Sequence, residues 1–117
     1  MENCIFCKIG KKEIKSEMLF ECDEFFIIKD IHPAAKKHYL AIPKEHYARL
    51  EGANDDMEAV RKIFKTIPTL KEKLGLEGGY RIIINQGDNA HQAVGHLHIH
   101  ILGGEDLGEK IVKTQIL

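Results

Sequence analysis

The chain has 117 residues, 44% of them hydrophobic and 30% charged, with a formal net charge of −1. That length supports one domain with a moderate core, residues 1–117, and leaves little room for a second. The near-neutral charge and the lack of a low-complexity tract argue against a disordered chain and against a surface that holds long nucleic acid through phosphate contacts, so a small-molecule partner is expected.

The opening Met1-Glu2-Asn3-Cys4 lacks the basic and apolar regions of a secretory signal, and no apolar run is long enough to cross a bilayer. A cytoplasmic location with no membrane partner is the expectation. Three cysteines are too few for a disulfide scaffold. Cys4-Ile5-Phe6-Cys7 has the two-residue spacing of a metal knuckle or a redox pair, and Cys22 reads as a spare buried thiol.

In chain order, a short helical turn is predicted around Ile5 to Ile9, then a polar stretch from Lys11 to Glu17. A strand near Phe20, a turn at Asp23-Glu24 and a strand over Phe25 to Ile31 form a hairpin, because the second run is rich in aromatic and β-branched residues. Asp30-Ile31-His32-Pro33 ends it, since proline lacks a ladder donor. The next strand is His38 to Ile42, stopped by Pro43, and Lys44 to Leu50 is a polar connection carrying His46.

From Asp55 the spacing of Met57, Val60, Phe64 and Ile67, continuing to Leu70 or Lys71 and Leu74, predicts a helical stripe that faces either the core or a protomer interface. Asp55 with Glu58 is the expected acidic cap, and Pro68 predicts a kink or restart before Gly75 and Gly78-Gly79 close the element. A strand over Tyr80 to Asn85 and a turn at Gln86-Gly87-Asp88-Asn89 precede the last strand. Residues 105–117 read as a divergent tail: a solvated loop to Lys110, then Ile111 to Leu117 as a tail strand or protomer contact. The plan is a mostly antiparallel α+β domain.

The run from Gly95 to Gly104 places His96, His98 and His100 on alternate residues between aliphatic ones, the period of a strand with one polar face. Neighbours on that face stand roughly 6.5 Å apart, so the rings line a groove rather than crowd one ion. Imidazole is a competent phosphorus nucleophile near neutral pH. The central ring, His98, is the natural nucleophile, with His100 beside it and His38 as either a helper from an adjacent strand or a packed core histidine. Asn85 is equally a structural amide or a phosphate ligand, and Gly87 and Gly103-Gly104 offer backbone donors to a phosphate only weakly. Cys4 and Cys7 supply two zinc ligands, with His46 and His96 available as the others; the alternative is two buried thiols without metal.

With these residues in view, the chain resembles the histidine triad nucleotide-binding proteins, in their compact nucleoside phosphoramidase-like branch. The His96-x-His98-x-His100 motif followed by two aliphatics and Gly103-Gly104 carries the resemblance, which spans Cys4 to Gly104. It implies a five-stranded antiparallel sheet with two helices, continued as a ten-stranded sheet across a homodimer. It implies hydrolysis of purine nucleoside 5′-monophosphoramidates or related conjugates through a nucleotidyl intermediate on His98, with AMP or GMP as ligands and no organic cofactor. His100 and His38 then bind phosphate and assist proton transfer, Asn85 and Gln92 lie on the phosphate side, Asp30 binds ribose, and Ile31, Phe6, Ile9 and Phe26 wall the base. Structural zinc is implied at Cys4, Cys7, His46 and His96. Two positions depart from the family pattern: Ala93 replaces a proton-relaying serine and His91 a glycine, so that either a water or His91 fills the missing hydroxyl's role. A dinucleoside polyphosphate hydrolase usually has glutamine in place of His100, and a nucleotide-binding sensor with little catalysis is the alternative of a different class.

Overall fold

The computed structural model describes residues 3–53 and 56–109. Two helices, α1 (Ile5–Gly10) and α2 (Glu58–Thr66), accompany five strands: β1 (Phe20–Glu21), β2 (Phe25–Lys29), β3 (Lys37–Pro43), β4 (Tyr80–Ile83) and β5 (Ile99–Gly103). The strands form one antiparallel sheet in the order β1-β2-β3-β5-β4. The expected five-stranded sheet with two helices is what the chain adopts.

The sheet is covered on both faces, which explains why β2 buries Phe25, Phe26, Ile27 and Ile28 in succession. Alternation still sorts them. Phe25, Ile27, Tyr39, Ala41, Ile99 and Ile101 pack with Ile63 and Ile67, the α2 side. Phe26, Ile28, Leu40 and Ile42 pack with Phe6 and Ile9 of α1. The β3–β5 register pairs Leu40 with His100 and Tyr39 with Ile101, which sets His38 and His100 on the α1 face.

Helix α2 departs from the expected stripe by one position. Ala59, Val60 and Ile63 are buried, whereas Phe64 is 43% exposed. Asp55 lies outside the described residues; it is Asp56 whose Oδ1 accepts the Glu58 amide, at 3.2 Å, just ahead of the helix. The break at Pro68 is real: the chain continues from Ile67 to Leu70 as a 3-10 turn with the proline in its first positions.

Three strand expectations run too long. The strand predicted to Ile31 stops at Lys29, and the one predicted to Asn85 stops at Ile83. The histidine strand enters the ladder only at Ile99, so His96 and His98 precede it. Pro43, expected to stop β3, is its last residue and pairs with Phe25. The Lys44–Leu50 connection is more than polar linkage, because Tyr47 is buried and its carbonyl accepts the Leu97 amide at 2.9 Å. Cys22 is half-buried, its thiol donating to Glu24 Oε1 at 3.4 Å.

Gly103 and Gly104 serve packing rather than phosphate. A Cβ on Gly103 would stand 2.7 Å from Leu76 Cδ2, and Gly104 has φ +80 with Lys37 Cγ 2.6 Å from its would-be Cβ. Residues 105–109 form exposed loop tied down by Lys36 N–H to Glu105 Oε2 (2.7 Å) and Arg81 to the Gly108 carbonyl (2.8 Å). The tail element expected at Ile111 to Leu117 lies outside the described residues. Among the described residues no helix is long and apolar enough to cross a membrane.

Candidate functional site

The three histidines of the motif divide between two clusters. His96 is wholly buried and turns toward the amino-terminal cysteines, whose knuckle is shaped by α1: Cys4 is the N-cap and its sulfur accepts the Cys7 amide at 3.4 Å. His96 Nδ1 lies 3.3 Å from Cys4 Sγ, 3.5 Å from Cys7 Sγ and 3.1 Å from His46 Nδ1, and Cys7 Sγ is 3.3 Å from His46 Nδ1. The other ring nitrogen, Nε2, faces the Pro43 carbonyl at 2.7 Å. A carbonyl only accepts, so Nε2 carries the proton and Nδ1 presents a lone pair to the sulfurs. Burial pushes the His96 ring away from its charged form, against the pull of the Pro43 carbonyl. Burial also raises the Cys7 thiol, with Cys4 adding. The four residues form a cluster able to coordinate a metal ion.

The same reasoning assigns the second cluster. His98 Nδ1 meets the His96 carbonyl at 2.8 Å, so Nδ1 is protonated and Nε2 keeps its lone pair. His38 Nδ1 accepts the Ala34 amide at 2.9 Å, which leaves the proton on His38 Nε2, donated to His100 Nδ1 at 2.9 Å. His100 therefore carries its own proton on Nε2. Burial holds His100 down at about 4, with the neighbouring His98 and His38 rings adding to the effect and Asp30 opposing it. Asp30 Oδ2 stands 3.4 Å from His38 Nε2 and 3.9 Å from His100 Nδ1, while its Oδ1 accepts the His32 amide at 2.8 Å. Asp30, His38 and His100 are close enough to share an ion, yet the His38 nitrogen facing the others carries a proton, which argues against coordination there.

A cavity of about 510 Å³ opens over this second cluster. His98 and His100 line it, Phe6, Ile9, Ile28 and Ile31 supply apolar surface, and Asp30 and Asn85 are polar points on the lining. The Phe6 ring meets the His98 ring edge-on with centroids 5.3 Å apart. The volume and the few convergent polar groups are those of a small-molecule site.

A family model described as the HIT domain matches residues 11–107. The chain belongs to the HIT domain family. It is similar to Protein HitA of Neisseria gonorrhoeae, 42% identical over 104 residues that cover 88% of this chain and 97% of that protein. Among solved structures it resembles a HIT family hydrolase from Clostridium thermocellum, with TM-score 0.89 and 46% identity over 96% of this chain and 99% of that one. It also resembles a histidine triad nucleotide-binding protein from Candida albicans, with TM-score 0.77 and 35% identity over 97% of this chain and 87% of that one.

Within this HIT domain, the fold brings most of the expected site residues together and withholds three. Phe26 is fully buried beneath Phe6 and Ile9 and does not reach the cavity. Gln92 is committed to its own loop: its Oε1 accepts the Gly87 amide at 2.9 Å and its Nε2 donates to the Ala48 and Val94 carbonyls at 2.7 and 3.0 Å. His38 lies behind His100 rather than on the cavity wall. The motif's polar face is not an open groove, because α1 covers it and leaves His98 6% exposed. Gly87, offered as a phosphate cradle, backs onto Arg49 instead. Lys15, Ser16, Leu40 and Val94 line the cavity without any signal in the sequence; only the tertiary fold turns them inward.

Proposed function

We propose that this HIT domain hydrolyses nucleotide conjugates, in the first instance purine nucleoside 5′-monophosphoramidates, through a nucleotidyl intermediate on His98. The observation that carries the reading is the His98 Nδ1–H held by the His96 carbonyl at 2.8 Å, which leaves the Nε2 lone pair as the nucleophile. The hydrolase and nucleotide-binding descriptions of two similar proteins support it.

His98 Nε2 attacks the α-phosphorus, the bond from phosphorus to the leaving nitrogen breaks, and the amine departs with a proton. Water then attacks the phosphorus of nucleotidyl-His98, and the nucleoside monophosphate leaves as the Nε2–phosphorus bond breaks. His100, neutral at pH 7 because burial holds it down at about 4, donates Nε2–H to a phosphoryl oxygen. His38 is a positioning residue that fixes the His100 tautomer. Asn85 takes a further phosphate oxygen and Asp30 a ribose hydroxyl. Phe6, Ile9 and Ile31 flank the base, with Phe26 supporting Phe6 and Ile9 from below. Gln92 acts through its loop rather than by touching the nucleotide.

Cys4, Cys7, His46 and His96 are proposed to hold zinc. Zn–N bonds of about 2.0 Å and Zn–S bonds of about 2.3 Å at tetrahedral angles put nitrogens about 3.3 Å apart and nitrogen and sulfur about 3.5 Å apart. The separations here, 3.1 Å and 3.3 to 3.5 Å, fit that donor set. With four protein ligands the ion supplies a cross-link rather than a substrate position. A homodimer through β4 is part of the same reading. It is supported by the place of β4 at one end of the sheet and by the exposure of Phe64 and Ile83, 43% and 37%. The working location is the cytoplasm, where free thiols persist.

The test is AMP release from adenosine 5′-monophosphoramidate by purified protein and by His98→Asn. Release that disappears in the variant, with AMP affinity and fold retained, supports covalent catalysis. Tight AMP binding by the unaltered protein without release overturns the hydrolase reading for this substrate and favours a nucleotide sensor.

A further inference from the structure

We infer that His91 is the acid that protonates the departing amine and the base that then activates water, an inference that rests on the hydrolytic reading above. An amine leaves phosphorus readily only if its nitrogen gains a proton as the bond breaks. A positioned proton donor for such a step is worth about 10²- to 10⁴-fold in rate.

The imidazoles already assigned do not supply that proton. His98 turns its N–H to the His96 carbonyl, away from the cavity, and uses its free nitrogen for attack. His38 has both nitrogens engaged and stands off the cavity wall. His100 is neutral, and its remaining N–H is matched to holding a phosphoryl oxygen rather than releasing a proton. His32 lines the cavity beside Asp30 and Ile31, the side given to ribose and base.

His91 lines the same cavity with Asn85 and Ala93, is solvent-exposed, and makes no side-chain hydrogen bond to any described residue. Imidazole is also the side chain that gives and takes protons near neutrality. Its backbone sits at φ 57, ψ 45, the left-handed region that a side chain rarely adopts. The surrounding loop holds it there: the Gln92 amide donates to the Gly87 carbonyl at 3.1 Å, and the Gln92 side chain accepts the Gly87 amide and donates to the Ala48 and Val94 carbonyls. A left-handed conformation so firmly clamped on the wall of the cavity that also holds His98 marks a side chain kept for its direction. The neighbouring Ala93 has no hydroxyl to compete for the role.

In the first step the protonated His91 ring gives N–H to the leaving nitrogen while the phosphorus–nitrogen bond pair moves onto that nitrogen. In the second, neutral His91 takes a proton from water as its oxygen bonds to phosphorus, and the Nε2–phosphorus pair returns to His98. The sum is phosphoramidate plus water giving nucleoside monophosphate plus amine, with His91 restored.

The test compares single-turnover release of two leaving groups from adenosine 5′-phosphoryl substrates: a primary alkylamine, which needs a proton, and 4-nitrophenolate, which does not. His91→Gln should slow amine release by about 10²-fold or more while changing nitrophenolate release by less than about threefold. His91→Gly, which suits the left-handed backbone, should show the same split, and added imidazole should restore amine release. Equal slowing of both leaving groups, or no slowing of either, overturns the role of His91. If the unaltered protein releases neither group, the hydrolytic reading falls and this inference with it; release of both with no split removes this inference alone.

Discussion

The backbone carbonyl of His96 accepts Nδ1–H of His98 at 2.8 Å while the ring of the same His96 faces Cys4, Cys7 and His46. One residue thus joins the cysteine knuckle to the proposed nucleophile. Phe6, between the two cysteines, packs against both rings, with centroids 5.8 Å from His96 and 5.3 Å from His98. Whatever loosens the knuckle therefore loosens His98.

Metal analysis of the purified protein should find about one zinc per chain. Chelation, or Cys7→Ser, should lower Tm by roughly 10 °C or more, since losing a cross-link of this kind costs a domain of this size several kcal/mol. A protein that holds no zinc and whose Tm ignores chelator would refute the structural metal.

Replacing His98 by Asn should reduce AMP release by roughly 10⁴-fold or more, because the nucleophile is gone. The Asn amide can still donate to the His96 carbonyl, so unfolding midpoints should shift little. Trapped nucleotidyl-protein, seen by intact mass in the parent and absent in the variant, is the direct check.

Stability should fall as pH falls from about 6.5 toward 4. His100 is held at about 4 in the folded protein against an ordinary 6.5, so between those values the unfolded chain binds more protons than the folded one. The loss approaches at most about 1.4 kcal/mol per pH unit. Urea titrations at pH 7 and pH 5 measure it, and His100→Asn should flatten the difference; an equal slope in the variant would assign the effect elsewhere.

Adjacent positions on α2 should behave oppositely. Ile63 is fully buried, so Ile63→Ala should cost about 2–5 kcal/mol in equilibrium unfolding. Phe64→Ser should cost little within the chain, yet shift the mass seen by sedimentation from dimer toward monomer if the proposed association uses this face. A Phe64 variant with unchanged sedimentation would remove that face from the interface.

Much of this was legible in the residues because local periodicity and chemistry coincide. Leu97, Ile99 and Ile101 are all fully buried, as the alternation required, and Cys4 and Cys7 do come together with His46 and His96 in a cluster able to coordinate a metal ion. Boundaries were less legible. Periodicity cannot say where a ladder partner ends, and β5 gains one only at Ile99. The stripe on α2 failed at Phe64 for a related reason: the sequence offers Ile63 and Phe64 side by side, and only the angle at which the helix lies on the sheet chooses between them.

The sequence by itself determined the sheet's alternation, the histidine motif and the pairing of cysteines, since each depends on neighbours a few residues apart. The tertiary structure alone decided how each ring is held and what covers it. His96 goes to the cysteines and His98 to the cavity because α1 folds over that face, and the tautomers of His96 and His100 follow from partners distant in the chain, Pro43 and His38. Hydrogen-bond direction is a property of three-dimensional partners, and no spacing along the chain encodes it.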